Sequence, residues 1–92
     1  MKIHYSKASS SDEAFLILKK TITPEYLDKF QMKVHLEFDE NKKETMAKGS
    51  GFELKIKLHD EFAEINLELS LMYRAFKSTI LDKIKAQIQK NL

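Results

Sequence analysis

Three histidines, His4, His35 and His59, are the side chains in this sequence best placed to move a proton or hold a metal near neutral pH. Each sits next to an apolar residue of an alternating run, Ile3, Val34 or Leu58, so each points away from the side those residues bury. On that outer side His35 and His59 can share a surface with Glu37 or Glu64, the minimum for a metal or an acid/base pair. Nothing else in the chain builds on that minimum. It has no His-Glu-x-x-His, no glycine-rich phosphate loop and no nucleophile motif, and Gly49-Ser50-Gly51 is too short to cradle a phosphate. With no Cys there is no thiolate ligand, disulfide or Cys nucleophile, a composition that fits a reducing cytosol. The histidines therefore read as solvated surface groups, and the sequence predicts no enzyme, metal or cofactor.

The remaining chemistry is electrostatic. Sixteen Lys and Arg against fourteen Asp and Glu leave a net charge of only +2, too small to imply a nucleic-acid partner by itself. The distribution is more informative. Residues 1–31 hold five basic and four acidic groups, residues 32–71 six and nine, and residues 72–92 five and one, for balances of +1, −3 and +4. The basic end consists of Arg74, Lys77, Lys83, Lys85 and Lys90. Lys83 and Lys90 border one edge of an apolar helical stripe and Arg74 and Lys85 the other, as where long stems carry charge from an apolar contact out to water. Such a helix suits an anionic or hydrophobic surface such as lipid, a granule coat or an acidic protein; the competing reading is a docked core helix with a solvated rim. Lys42, Lys43 and Lys48 with this helix are the nucleic-acid candidates. The outward strand rows interleave Lys33, Lys55 and Lys57 with Glu37, Glu53, Glu64 and Glu68, which makes a poor phosphate track.

These groups must be positioned by about one small domain, residues 1–92. Lys2 to Lys7 alternates as a short strand, Ser10 with Glu13 marks a helix start, and Thr23-Pro24 reads as a second cap, giving helices over about 11–21 and 24–30. From Met32 the period becomes two. Met32, Val34, Leu36 and Phe38 share one face, Phe52, Leu54, Ile56 and Leu58 another, and Ile65, Leu67, Leu69 and Leu71 a third. A four-residue loop around Asp60 would pair Leu58 with Ile65 and set Lys55 opposite Glu68; a two-residue loop shifts the register by two and keeps the parity. Residues 42–47 read as a weak edge strand or a loop. Phe76, Ile80, Ile84 and Ile88, with Leu81 and Leu92, form the stripe of a last helix. The fold class is α+β, a two-layer sandwich in the order β-α-β-(β)-β-β-α, with an antiparallel sheet of four to five strands packed by helices. Ala14-Phe15-Leu16-Ile17-Leu18 is apolar on every side of its helix, so Leu16 and Ile17 are candidates for a homodimer contact or another apolar partner. The longest apolar run is too short to cross a bilayer, and Met1-Lys2 leads into polar residues; both fit a cytoplasmic protein.

Gly51-Phe-Glu-Leu-Lys-Ile-Lys-Leu-His-Asp-Glu, then Ile65-Asn-Leu-Glu-Leu-Ser-Leu-Met-Tyr-Arg-Ala-Phe76-Lys and a terminal amphipathic helix, resemble the small polyhydroxyalkanoic acid system proteins of bacteria. Phe30-Gln-Met-Lys-Val-His-Leu-Glu resembles the family's strand after its first helix, so the likeness covers residues 30–92. It implies a non-enzymatic accessory protein that binds a polyester granule or a granule-associated protein, and it carries over no catalytic residue. Two further classes are a small hydrophobic-ligand carrier, with a cavity lined by Leu54, Ile56, Leu67, Leu69, Ile80 and Ile84, and a weak nucleic-acid-binding module.

Overall fold

The alternating and helical runs become β1 (Lys2–His4), α1 (Ser11–Thr21), α2 (Pro24–Asp28), β2 (Val34–Asp39), β3 (Glu44–Gly49), β4 (Phe52–Leu58), β5 (Phe62–Leu69), a 3₁₀ turn (Arg74–Phe76) and α3 (Lys77–Asn91) in a computed structural model. The structure describes residues 1–30 and 33–92; Met32, expected at the head of a strand face, lies outside them. The strands make one five-stranded antiparallel sheet in the order β1-β5-β4-β3-β2. The inward rows of β1, β3, β4 and β5 are buried with residues of all three helices in one core, and the half-buried Val34, Leu36 and Phe38 of β2 pack against it, giving a two-layer α+β sandwich.

The break between the first two helices is two caps in succession. Ser10 accepts the Glu13 N–H at 3.2 Å, and the Glu13 carboxylate takes the Ser9 hydroxyl at 2.8 Å, so the capping box is only half formed. Ile22 closes α1 by donating to the Leu18 carbonyl, and the Thr23 hydroxyl then accepts from Tyr26 N–H with Pro24 at the first position of α2. In the apolar run of α1, Ala14, Phe15 and Leu18 are buried, Phe15 meeting Phe38 edge-on at 6.1 Å. Ile80, Ile84 and Ile88 of α3 cover the sheet, and the Leu92 carbonyl gathers the N–H groups of Ser6, Lys7 and Ala8 at 3.0, 2.7 and 2.8 Å.

One alternative is settled and three expectations change. Of the two registers open to it, the β4–β5 hairpin takes that of the two-residue loop, pairing Leu58 with Ala63 and Ile56 with Ile65, so Lys55 faces Asn66 rather than Glu68. Asp60-Glu61 turns without glycine because it is held from outside: Tyr5 N–H donates to the Glu61 carbonyl, Tyr5 O–H to the His59 carbonyl at 2.7 Å, and Ser11 N–H to Asp60 Oδ1. Residues 44–49 are neither edge strand nor loop but an inner strand; their inward side chains, Thr45 and Ala47, are too small to stand out as an apolar pattern. Strand β5 runs from Phe62 to Leu69, which leaves Leu71 outside the sheet, and Phe76 precedes α3 instead of heading its buried stripe.

Candidate surface-docking site

The departures at Leu71 and Phe76 have a local cause at Gly51. This residue closes the tight turn between β3 and β4 at φ +79°, a conformation that costs little only for glycine. Its carbonyl accepts the Ser70 N–H at 2.9 Å. A β-carbon there would stand 2.6 Å from Ser70 Oγ and 3.1 Å from the Tyr73 ring, so Ser70 and Tyr73 pack directly on the turn. Tyr73 N–H donates to the Ser70 carbonyl and Phe76 N–H to the Tyr73 carbonyl, and the chain between these anchors turns outward. Leu71, Met72 and Phe76 are left 80, 77 and 58% exposed. Arg74 and Lys77 stand among them, and no Asp or Glu occurs between Glu68 and Asp82.

The opposite end of the sheet has the reverse character. There the hairpin turns hold Asp39, Glu40, Asp60 and Glu61, and Asp12 joins them by pairing with Lys43 at 3.1 Å. Strand direction thus sets the acidic turns at one end of the sheet and the Leu71–Lys77 segment at the other, where Glu53 and Glu68 line a hollow with Gly51 and Ser70. Lys42 and Lys43, proposed for nucleic acid, lie at the acidic pole. Lys42 borders a hollow of about 570 Å³ with Glu37, Asp39, Glu40 and Glu44, which opposes a phosphate backbone. Lys48 faces Glu53 across the sheet.

The five cations expected on the terminal helix are not one patch. Arg74 and Lys77 belong to the exposed pole, and Lys83 and Lys90 face the groove between α2 and α3. Lys85 sits about 200° from Lys83 around the helix axis. Among the described residues the ion pairs are Lys43–Asp12, Lys55 and Lys57 with Glu44, and two histidine–glutamate pairs, so all five cations are open to an outside anion. Leu16 and Ile17 border a separate depression beside Lys20, Thr21, Gln87 and Asn91, with Leu16 63% exposed.

The histidines lie on the outer sheet face. His35 Nε2 is 3.1 Å from Glu37 and His59 Nε2 3.3 Å from Glu64, and the His59 ring stacks on Phe62 at 4.4 Å. No third donor joins either pair in a metal-holding group among the described residues. The six side chains expected around a carrier cavity, Leu54, Ile56, Leu67, Leu69, Ile80 and Ile84, pack together in the core. No helix of the described residues is long and apolar enough to cross a membrane.

Sequence reasoning put Leu71 and Phe76 inward and did not single out Met72. The signal that marks them is Leu69-Ser-Leu-Met72, where two consecutive apolar residues break the alternation inside the acid-free run. Comparison with protein-family models, with curated proteins and with solved structures found no match.

Proposed function

We propose that the protein is a non-enzymatic docking protein that seats its Leu71–Lys77 pole on an anionic, apolar surface. One observation carries this reading: three large apolar side chains, mostly exposed, share a seven-residue segment with Arg74 and Lys77, at the pole farthest from the acidic turns. Scattered single exposed apolar residues are ordinary, whereas three in one short segment with two cations match a surface with apolar depth and negative charge. Each cation near such a surface is worth about 1 kcal/mol, and the apolar tip adds what it buries. A polyester storage granule is the surface that the family resemblance implies, with a granule-associated protein as the other partner it suggests.

Co-sedimentation tests the reading directly, using phosphatidylcholine vesicles with and without phosphatidylglycerol and purified polyester granules. The expected result is binding to anionic vesicles at low salt that weakens as salt rises, with little binding to phosphatidylcholine alone. Protein that stays in the supernatant with both anionic vesicles and granules at low salt removes the proposal.

A further inference from the structure

A second feature of α3 is chemically distinct from the exposed pole. Two depressions, of about 360 and 320 Å³, lie between α2 and α3 and share Lys29, Phe30 and Lys83, so they form one groove. Each half falls within the roughly 300–1,000 Å³ of small-molecule sites. Lys29, Phe30 and Lys83 line the groove along its length; Tyr73, Phe76 and Ile80 extend it at one end, and Tyr26, Ala86, Gln87 and a third cation, Lys90, at the other. Among the described residues no carboxylate lines either half.

The walls are held in place. Tyr26 O–H donates to the Lys83 carbonyl at 3.3 Å, tying α2 to α3 across the groove. The Tyr26 ring meets Phe30 edge-on at 5.6 Å and carries the Lys29 ammonium 5.8 Å from its centroid, which keeps that charge beside the apolar wall. Burial pushes the Tyr26 phenol above its usual pKa, so it remains the donor at neutral pH.

We propose that this groove binds one long-chain carboxylate anion, its hydrocarbon tail along Phe30, Tyr73 and Phe76 and its head group among Lys29, Lys83 and Lys90. An aromatic wall that runs beside Lys29 and Lys83 towards Lys90, with no carboxylate in its lining among the described residues, complements a molecule that is apolar along its length and negative at one end. A neutral amphiphile would leave the lysines unused, and a compact anion such as phosphate would leave the aromatic wall bare. The site shares Tyr73 and Phe76 with the docking segment but not Leu71, Met72, Arg74 or Lys77, so it does not depend on surface binding.

The test is titration of the full chain with oleate below its micelle-forming concentration, read by calorimetry, with oleyl alcohol as the neutral control. The expected result is one oleate per chain and clearly weaker binding of the alcohol. Thr79→Trp, at an exposed position in the groove wall, fills the end extended by Tyr73, Phe76 and Ile80 and should abolish uptake. Lys29→Gln with Lys83→Gln should weaken oleate about tenfold while leaving the alcohol unchanged. Leu71→Ser with Met72→Ser should leave oleate binding intact even where it abolishes vesicle binding, which separates failure of this site from failure of the docking pole. Circular dichroism confirms that each variant is folded. The proposal is overturned by absence of saturable oleate binding, by oleyl alcohol binding as tightly as oleate, or by a folded Thr79→Trp protein that binds oleate as the parent does.

Discussion

Replacing Leu71, Met72 and Phe76 together by serine removes the apolar part of the proposed docking pole and leaves every cation in place. Full burial of a Leu, Met or Phe side chain is worth about 1.5–3 kcal/mol. At 80, 77 and 58% exposure these three retain the surface of roughly two whole side chains still to be covered, which caps their contribution at about 3–6 kcal/mol. A tip that enters the head-group and acyl boundary recovers roughly half of this, about 1.5–3 kcal/mol, or about 10- to 150-fold in affinity. Side chains this exposed change folding stability by only about 0.5 kcal/mol when replaced, so the loss reports on binding. The companion variant, Arg74→Gln with Lys77→Gln, removes about 1 kcal/mol per charge at low salt. The two losses separate by ionic strength. Salt near 1 M shortens the Debye length to about 3 Å and shrinks the difference between the charge variant and the parent, but it leaves the serine variant's deficit in place. Vesicle co-sedimentation at low and high salt measures both. A triple-serine protein that binds anionic vesicles within about threefold of the parent refutes the assignment of this tip to docking. Because Phe76 also lines the α2–α3 groove, the Leu71/Met72 double variant should show most of the same deficit.

Gly51→Ala forces a side chain into φ +79° and against Ser70, and should cost about 2–4 kcal/mol in urea unfolding. Ser70→Gly in that background should recover the contact part and not the backbone part. Thr45 is 1% exposed and its hydroxyl has no partner among the described residues, so Thr45→Val should raise stability by about 1–2 kcal/mol; a loss in thermal unfolding would mean that the hydroxyl is satisfied. Burial first, and the Asp60 charge second, push the Tyr5 phenol from 10.0 to about 12. Its folded pKa lies above its unfolded one, so the stability linked to the protonated phenol is complete below pH 10 and is lost as pH rises towards 12. The urea midpoint should fall across that window more steeply in the parent than in Tyr5→Phe, and parallel curves would count against the shift.

The elements most legible in the sequence are those where local chemistry and burial agree. Ser10, Thr23 and Pro24 announce caps that the backbone uses, and the rows of β4 and β5 alternate because one sheet face is buried and the other is open. Legibility fails where the inward residues are small or the constraint is distant. Thr45 and Ala47 carry too little apolar surface to mark β3 as an inner strand. The Asp60-Glu61 turn is set by Tyr5 and Ser11, far away in the chain, so its register could not be chosen from its own residues. Leu71 follows the parity of β5, yet packing of Ser70 and Tyr73 on Gly51 takes it out of the sheet. Of the candidate site, the basic character of the last segment was readable and the apolar tip was not, because exposure there is decided by a glycine about twenty residues earlier.

A docking role for a chain with net charge +2 turns on separation of charge rather than its total. Strand β4 has seven residues and β5 eight, so at about 3.3 Å per residue the acidic turns lie some 20 Å or more from the Leu71–Lys77 pole. That distance is at least twice the Debye length of about 8–10 Å at physiological ionic strength. An anionic surface in contact with Arg74 and Lys77 therefore meets their attraction offset only by Glu53 and Glu68 at the same end, while the repulsion from Asp39, Glu40, Asp60 and Glu61 is screened. The same geometry lets α3 serve two purposes, because Ile80, Ile84 and Ile88 remain in the core while the cations sit outside it. Docking then needs no helix to leave the sheet. Protection of the Ile80, Ile84 and Ile88 amides from hydrogen exchange should accordingly be as high on anionic vesicles as in solution, and faster exchange there would show that the helix detaches to bind.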